Sequence, residues 1–471
     1  MNRAGIAATA LVVLAAAGSA GAWFTGTRME AAIQDNIVRA NQQLKDQLPD
    51  TDLALELVSF QRGIFSSDAR YRLVLVADDA DEPPLELLIS DHIEHGPWPL
   101  SRLTSLKLLP VMATSHAQLE SSEQLAGLFA ASAGRSPLTV TSSIGYANGV
   151  DGELQLAPMS WSTDEVTGSF SGLSAVFRTD TAGESIKVHG RVDSLELQGG
   201  ARVGLAGVDF ELDRQRDASG LYLGTGQVEL DQLSVVIEGE PAVVLNGLVQ
   251  SDVSTLKEDG ANLELDYRIG SVNYGTTKLG SMHMGWTLSR IDPQAMVDLA
   301  GMYNSAALGG VPDDTKALEE QFQASLERLL DGFPRLSLDD FSIRTTNGES
   351  RLSLAVELGR PSSLQLPPEA LLPELIGSLE ARLVLSKPML MDMVRHKALF
   401  QPGTDAATLE QEAQMMAEMV SGMAEMLQIG RVEGDNILTQ LSYAGGSLKL
   451  NGQAIEPSAL AGLLSGMKGL Q

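Results

Sequence analysis

The sequence predicts an α+β protein, a predominantly antiparallel β meander or curved sheet covered by amphipathic helices, with one N-terminal transmembrane helix. Three observations predict it. From Thr51 onward, apolar residues recur at every second position in short runs broken by Gly, Asn and Asp. In the second half, such runs lead three times into an X-Pro step followed by helical spacing. Ahead of both, Ala4 to Phe24 runs without a charge.

That first span is long enough to cross a bilayer. At about 1.5 Å per residue it reaches roughly 31 Å, against a hydrocarbon core of about 30 Å. Trp23 and Phe24 mark the membrane exit, where amphipathic rings favour the headgroup zone, and Arg3 marks the cytoplasmic end. The small residues Ala16 to Ala22 offer the rival outcome, a cleaved signal peptide. Either outcome exports the remainder, and retention is the expectation: a single-pass inner-membrane protein with its bulk in a Gram-negative type of periplasm.

Composition narrows the function classes. No cysteine is present, which rules out disulfides, thiolate nucleophiles and Cys-ligated zinc. The net charge is −28, with 61 acidic against 33 basic residues. It argues against nucleic acid as a partner and against the body lying flat on anionic lipid. The order of segments is 1–25 signal-anchor, 26–50 helical stalk, 51–290 β-rich region and 291–471 repeated sheet-plus-helix region.

In the stalk, Met29, Ala32, Ile33, Ile37, Ala40, Leu44 and Leu48 form one helical stripe. It is expected to pack on the protein's own body, a second copy being the alternative. Leu53, Leu55 and Leu57 then begin a strand, and a second strand lies near 69–76. The acidic tract from Asp78 to Glu82 reads as a solvated loop, because it lacks the alternating ligand spacing and glycine of a calcium loop. In Asp91-His92-Ile93-Glu94-His95-Gly96-Pro97-Trp98-Pro99-Leu100, strand geometry would send His92 and His95 to opposite faces, against a shared metal site. Gly96, Pro97 and Pro99 instead spell a stiff turn, expected to pin Trp98 and Leu100 over a core edge.

Gly21-Ala22-Trp23-Phe24-Thr25-Gly26, Arg62-Gly63-Ile64-Phe65-Ser66-Ser67, His95 to Leu100 and Ser143-Ile144-Gly145-Tyr146 occur in the order seen in the YdgA family of Gram-negative inner-membrane proteins, which this chain resembles. Gly445 to Gly452 resembles that family's closing hairpin. The resemblance implies a single anchor, a periplasmic body and no established activity. It supplies no catalytic residues, and the motif residues Arg62, Gly63, Phe65, Ser66, His95, Gly96, Pro97, Trp98, Pro99 and Leu100 are expected to be structural.

From Leu138 to Arg290 the chain reads as a meander of short strands, among them Leu195-Glu196-Leu197, Phe210-Glu211-Leu212, Leu221-Tyr222-Leu223 and Val228-Glu229-Leu230. Open trough and closed barrel fit this pattern equally. The strand-to-helix junctions are Asp292-Pro293, Lys387-Pro388 and Glu456-Pro457. Asn347-Gly348 between alternating runs marks a hairpin. Two helical stripes follow: Leu318, Phe322, Leu326, Leu329 and Phe333, then Leu409, Met416, Val420, Met423 and Leu427.

Methionine is concentrated between Met389 and Met426. Met416, Met419, Met423 and Leu427 are the candidate surface for hydrophobic cargo or a partner, with core filling as the plainer role. No G-x-S-x-G elbow, Walker loop, H-E-x-x-H or complete dinucleotide fingerprint is present. The expectation is a protein without catalytic residues, metal or cofactor. It would hold or pass lipid in an apolar β groove, resembling the AsmA/TamB type of lipid carrier at the level of fold alone. The alternative is an envelope scaffold acting through protein contacts, with a second copy of the chain among its partners.

Overall fold

The computed structural model describes residues 53–75, 84–307, 315–400 and 405–456, together with 33–34, 37–38 and 40–42. The span Ala4–Phe24 with Trp23 and Phe24, the tract from Asp78 to Glu82, and the helix expected after Pro457 lie outside them. No helix among the described residues is long and apolar enough to cross a membrane. The chain forms two compact units, Met1–Glu229 with Met296–Phe322, and Leu230–Ala295 with Gln323–Gln471.

The first unit is an antiparallel meander. Its strands are β1 Leu53–Arg62, β2 Ser66–Leu75, β3 Leu85–His95, β4 Ala113–Leu119, β5 Leu138–Ile144, β6 Gly149–Leu156, β7 Met159–Ser162, β8 Thr167–Phe170, β9 Leu173–Asp180, β10 Ser185–Gln198 and β11 Ala201–Arg216. Strands β1 to β6 pair in sequence order, and β6 continues onto β9. The 14-residue β10 carries β9 along one half and the β7–β8 hairpin along the other, and β11 lies on its far side.

The core of this unit explains the stalk. Ile33, Ile37 and Ala40, spaced four and three apart on a helix, are buried with Leu55, Ala69, Tyr71, Leu73, Ile89 and Ile93. These three members of the stripe therefore pack on the protein's own sheet, while Met29, Ala32, Leu44 and Leu48 lie outside the described residues. Beside it, the Asn41 side chain donates to Leu55 O at 2.9 Å and accepts from Leu55 N at 2.8 Å. That pair occupies backbone groups on the side of β1 away from β2, the kind of exposed strand edge that otherwise invites pairing with another chain.

Strand β12, Tyr222–Ile237, contains the division between the units at Glu229/Leu230. It corrects the expectation of two short strands here. Gly224-Thr225-Gly226 does not turn the chain; Gly224 sits within the strand at φ +141°, a conformation glycine tolerates.

The second unit continues with β13 Val243–Lys257, β14 Gly260–Tyr274, β15 Thr277–Ile291, β16 Arg335–Arg344, β17 Glu349–Leu358, β18 Ile376–Ser386, β19 Arg431–Glu433, β20 Asn436–Ala444, β21 Ser447–Leu450 and β22 Gln453–Ile455. Pairing again follows the chain from β13 to β18 and on to β20, where β19 and β21 share its other side and β22 follows β21. Along this part of the chain helices are inserted at three points: Pro293–Ala307 and Thr315–Asp331 after β15, where Met296–Phe322 belong to the first unit, Pro368–Leu375 before β18, and Lys387–His396 and Ala406–Met426 after it. Near residue 290 the pattern changes while sheet pairing continues, since β15 and β16 are partners.

Both described junctions have the expected form. Asp292 Oδ1 accepts from Ala295 N at 2.8 Å, and Ser386 Oγ accepts from Met389 N at 3.4 Å; each helix has a side-chain N-cap beside its proline. Asn347-Gly348 lies in the β16–β17 turn. Gly445-Gly446 joins β20 to β21 with both residues at positive φ, as a two-residue hairpin requires. The stripe ending at Phe333 is corrected: Phe322 and Phe333 are exposed, and Ser325 and Leu330 are the buried positions. Phe333 lies beyond the helix end, at φ +48°, so helical phase no longer governs it.

Candidate functional site

Strand register gathers the sequence motifs at one end of the first unit. Arg62 pairs with Ser67, Ser66 with Glu94, His95 with Ala113, Ala113 with Ile144, and Ile144 with Val150. The connections 63–65, 96–112 and 145–148 therefore leave the same end of six adjacent antiparallel strands, β1 to β6.

A dense set of hydrogen bonds fixes this end. Gly63 N donates to Ser66 O at 2.8 Å, and a Cβ on Gly63 would stand 2.6 Å from that oxygen. His95 joins two hairpins: its backbone N donates to Phe65 O at 2.8 Å and its ring Nδ1 meets Ile64 O at 3.2 Å. A carbonyl only accepts, so Nδ1 carries the hydrogen and Nε2 accepts from Ser67 Oγ at 2.9 Å. This resembles a nucleophile–base pair, but Ser67 is wholly buried and serves as a rivet. Gly96 N donates to Met112 O at 2.7 Å, and a Cβ there would come within 1.9 Å of Val111 O. The Gly96–Pro97 bond is cis.

Trp98 and Leu100 depart from expectation. Pro99 takes the buried position, while Trp98 and Leu100 point outward, the indole donating to Leu108 O at 3.1 Å. Proline brings no N–H into an apolar slot, and the outward position leaves the Trp98 indole free to reach Leu108 O. Arg102 braces the long connection by donating to Leu109 O and Ser143 Oγ, each at 3.2 Å. Ser101 Oγ donates to Glu94, so it has no proton to give His116, whose Nε2 lies 3.3 Å away. His92, on the opposite face of β3 from His95, pairs with Asp68 at 2.7 Å. No group of three or more His, Asp or Glu side chains placed to hold a metal ion occurs among the described residues.

In the second unit the apolar side chains form three rows across the sheet. One runs Leu263, Leu288, Leu336, Val356, Leu379, Tyr443 and Leu448; the next Leu265, Trp286, Leu338, Leu354, Ala381, Leu441 and Leu450; the third Tyr267, Met284, Phe341, Leu352 and Leu383. The alternate positions Glu264, Thr287, Ser337, Glu380, Ser442 and Lys449 form a polar opposite face. Within the rows only Leu338, Leu448 and Leu450 are buried. Leu336 is 39% exposed, and the other members are half-buried. At β13 the face ends: Ser254, Asp252 and Gln250 stand opposite Leu263, Leu265 and Tyr267.

Comparison with known proteins places this architecture. The family described as "Bacterial protein of unknown function (DUF945)" matches residues 1–458. The chain belongs to that family. It is 26% identical to Protein YdgA of Escherichia coli K12, over 99% of this chain and 97% of that one. It is 22% identical to the uncharacterised protein YihF of the same organism, over 94% and 95% respectively. An uncharacterised protein of Haemophilus influenzae is 25% identical over 38% of this chain and 49% of its own. No solved structure matches.

In this DUF945 protein the helix Ala406–Met426 buries a different stripe from the expected one. Leu409, Ala413, Ala417 and Ala424 face inward. Met415, Met416, Met419 and Met426 are exposed, Met423 is half-buried, and Leu427, just past the helix, is exposed. Both series recur every three to four residues. Small side chains let the backbone approach its neighbour closely, which decides between them.

Among the described residues, two further charged clusters draw their partners from within the DUF945 chain. His283 sits between Asp266 at 2.5 Å and Asp340 at 3.2 Å; the Asp266 bond leads in raising its pKa. With both ring nitrogens engaged by carboxylates, neither can accept a proton from a nucleophile. Asp392 accepts from Thr345 Oγ1, Asn347 N, Asn347 Nδ2 and Arg395 Nη1. Burial pushes its carboxyl up, but these bonds together hold it below the ordinary value. In β3, burial pushes the Asp91 carboxyl up to about 6, although Ser115 Oγ donates to it at 2.6 Å.

Proposed function

We propose that this DUF945 protein is a non-enzymatic, membrane-anchored envelope protein that holds an acyl chain or similar hydrocarbon against the apolar face of its second unit. The observation that carries this reading is the set of three cross-strand rows, apolar from β14 to β21 and mostly half-open. A single buried Leu or Val side chain is worth about 1.5–3 kcal/mol, so a face of this width offers ample affinity for hydrocarbon. The polar border at β13 would limit its extent on one side. Ala4–Phe24 would keep the body beside its lipid source.

A photoreactive benzophenone amino acid at Leu336 tests the reading in the full chain, with Glu380 on the polar face as control. Irradiation in membranes is expected to give phospholipid adducts at Leu336 and none at Glu380. Peptide adducts alone, or lipid at both positions equally, would refute it. The exposed methionines of Ala406–Met426 favour a second reading, a protein-binding scaffold, because flexible thioethers adapt to varied partner surfaces.

A further inference from the structure

We propose that the motif-bearing end of the first unit docks on the anionic surface of a lipid bilayer. The inference is independent of whether the second unit carries lipid. It begins with exposure: Phe65 is 84% exposed, Leu106 81% and Leu109 78%, with Trp98 beside them in the same set of connections. Large apolar side chains left this open on the ends of β strands cost solubility unless something covers them. The hydrogen bonds of His95, Gly96 and Arg102 hold the connections that present them, so the apolar residues project from a rigid base.

Charge selects the occupant. Between Ser59 and Ser67, Gly96 and Met112, and Ser143 and Gly149, the chain has no Asp or Glu, yet it contains Arg62, Arg102 and Lys107. In a protein of net charge −28 that is a local reversal of sign. Arg62 and Lys107 are exposed, and among the described residues neither is ion-paired. Exposed Leu, Phe and Trp next to unpaired cations match the interface of an anionic bilayer, where hydrocarbon and phosphate lie a few ångströms apart. The body as a whole is repelled by such a surface, so contact would be confined to this end. The next connection along the sheet, 181–184, is flanked by Asp180 and contains Glu184, which bounds the contact.

The absence of cysteine allows a clean test in the full chain. Leu106→Cys, and separately Val176→Cys on β9 as an exposed control, are labelled with an environment-sensitive nitrobenzoxadiazole probe. The proteins are reconstituted into vesicles of phosphatidylethanolamine with phosphatidylglycerol, or of phosphatidylcholine alone. The expected result is a blue shift at position 106 with quenching by brominated acyl chains in the anionic vesicles, and no change at 176. Arg62→Gln with Lys107→Gln, or high salt, is expected to abolish the shift. A probe at 106 that stays aqueous in anionic vesicles overturns the proposal. A shift that is equal in phosphatidylcholine, or that grows with protein concentration without lipid as a second copy covers the site, overturns it too.

Discussion

Asp91 gives the sharpest pH experiment. It is 2% exposed in β3, and burial is the leading influence that brings its carboxyl to about 6. Tyr71 Oη and Asp91 Oδ2 are both buried without meeting hydrogen-bond geometry, so the carboxylate is incompletely solvated by its neighbours. A carboxyl that holds its proton more tightly when folded than unfolded costs stability as it ionises. The unfolded group titrates at about 3.9. This group's contribution is therefore most favourable below about pH 4 and declines until the pH has passed about 6. Two units correspond to roughly 3 kcal/mol in total, of which about 2 kcal/mol falls between about pH 4.5 and about pH 7.5. Asp91→Asn keeps the shape and removes the titration, so the variant is expected to gain on the wild type by about 2 kcal/mol across that interval. Hydrogen exchange of β3 and β4 amides is the appropriate assay, because a two-unit chain has no single unfolding free energy. His116, whose pKa burial lowers, titrates in both proteins and drops out of the difference. A difference that stays flat over the interval would refute the reasoning.

Two further outcomes are expected. Ala417→Leu should cost about 1–3 kcal/mol by overpacking the buried side of Ala406–Met426, whereas Met415→Gln should stay within about 0.5 kcal/mol. Limited proteolysis of that helix compares them, and the opposite order would mean that methionine faces the core. Asp392→Asn should weaken the β16–β17 turn and the start of Lys387–His396 by roughly 3 kcal/mol, since an amide nitrogen cannot accept the bonds the carboxylate takes. In the wild type, the Asp392 contribution is present above the unfolded value of about 3.9 and disappears as the pH falls through its lower folded value. Exchange of the Thr345–Gly348 amides that is unchanged in the variant would argue against this role.

The strands were largely legible because alternation is a backbone property that short windows record. Leu53, Leu55 and Leu57 start β1, and the X-Pro junctions at Asp292 and Lys387 begin helices. What misled was local chemistry with two geometric outcomes. Gly224 breaks a pattern equally well as a turn or as an extended glycine within β12. In Ala406–Met426, hydropathy favours Met416 and Met423 for the buried side, yet close approach favours Ala413 and Ala417. Trp98 is the most hydrophobic-looking residue of its motif and stands outside, because neighbouring prolines decided which side chain enters. The motifs could be picked out by residue order, but their meeting at one sheet end depends on register across six strands. The three apolar rows likewise appear only once strands distant in sequence are aligned.

The order of strands also bears on how such a chain acquires its shape while emerging end first. Most pairings join segments separated by a few residues, so each new strand can zip onto the one before it with little loop entropy to overcome. Longer closures break that rhythm, among them β6 onto β9 across the β7–β8 hairpin, β15 onto β16 across two helices, and β18 onto β20 across two more. Those are the moments when a growing sheet waits with an unfinished border.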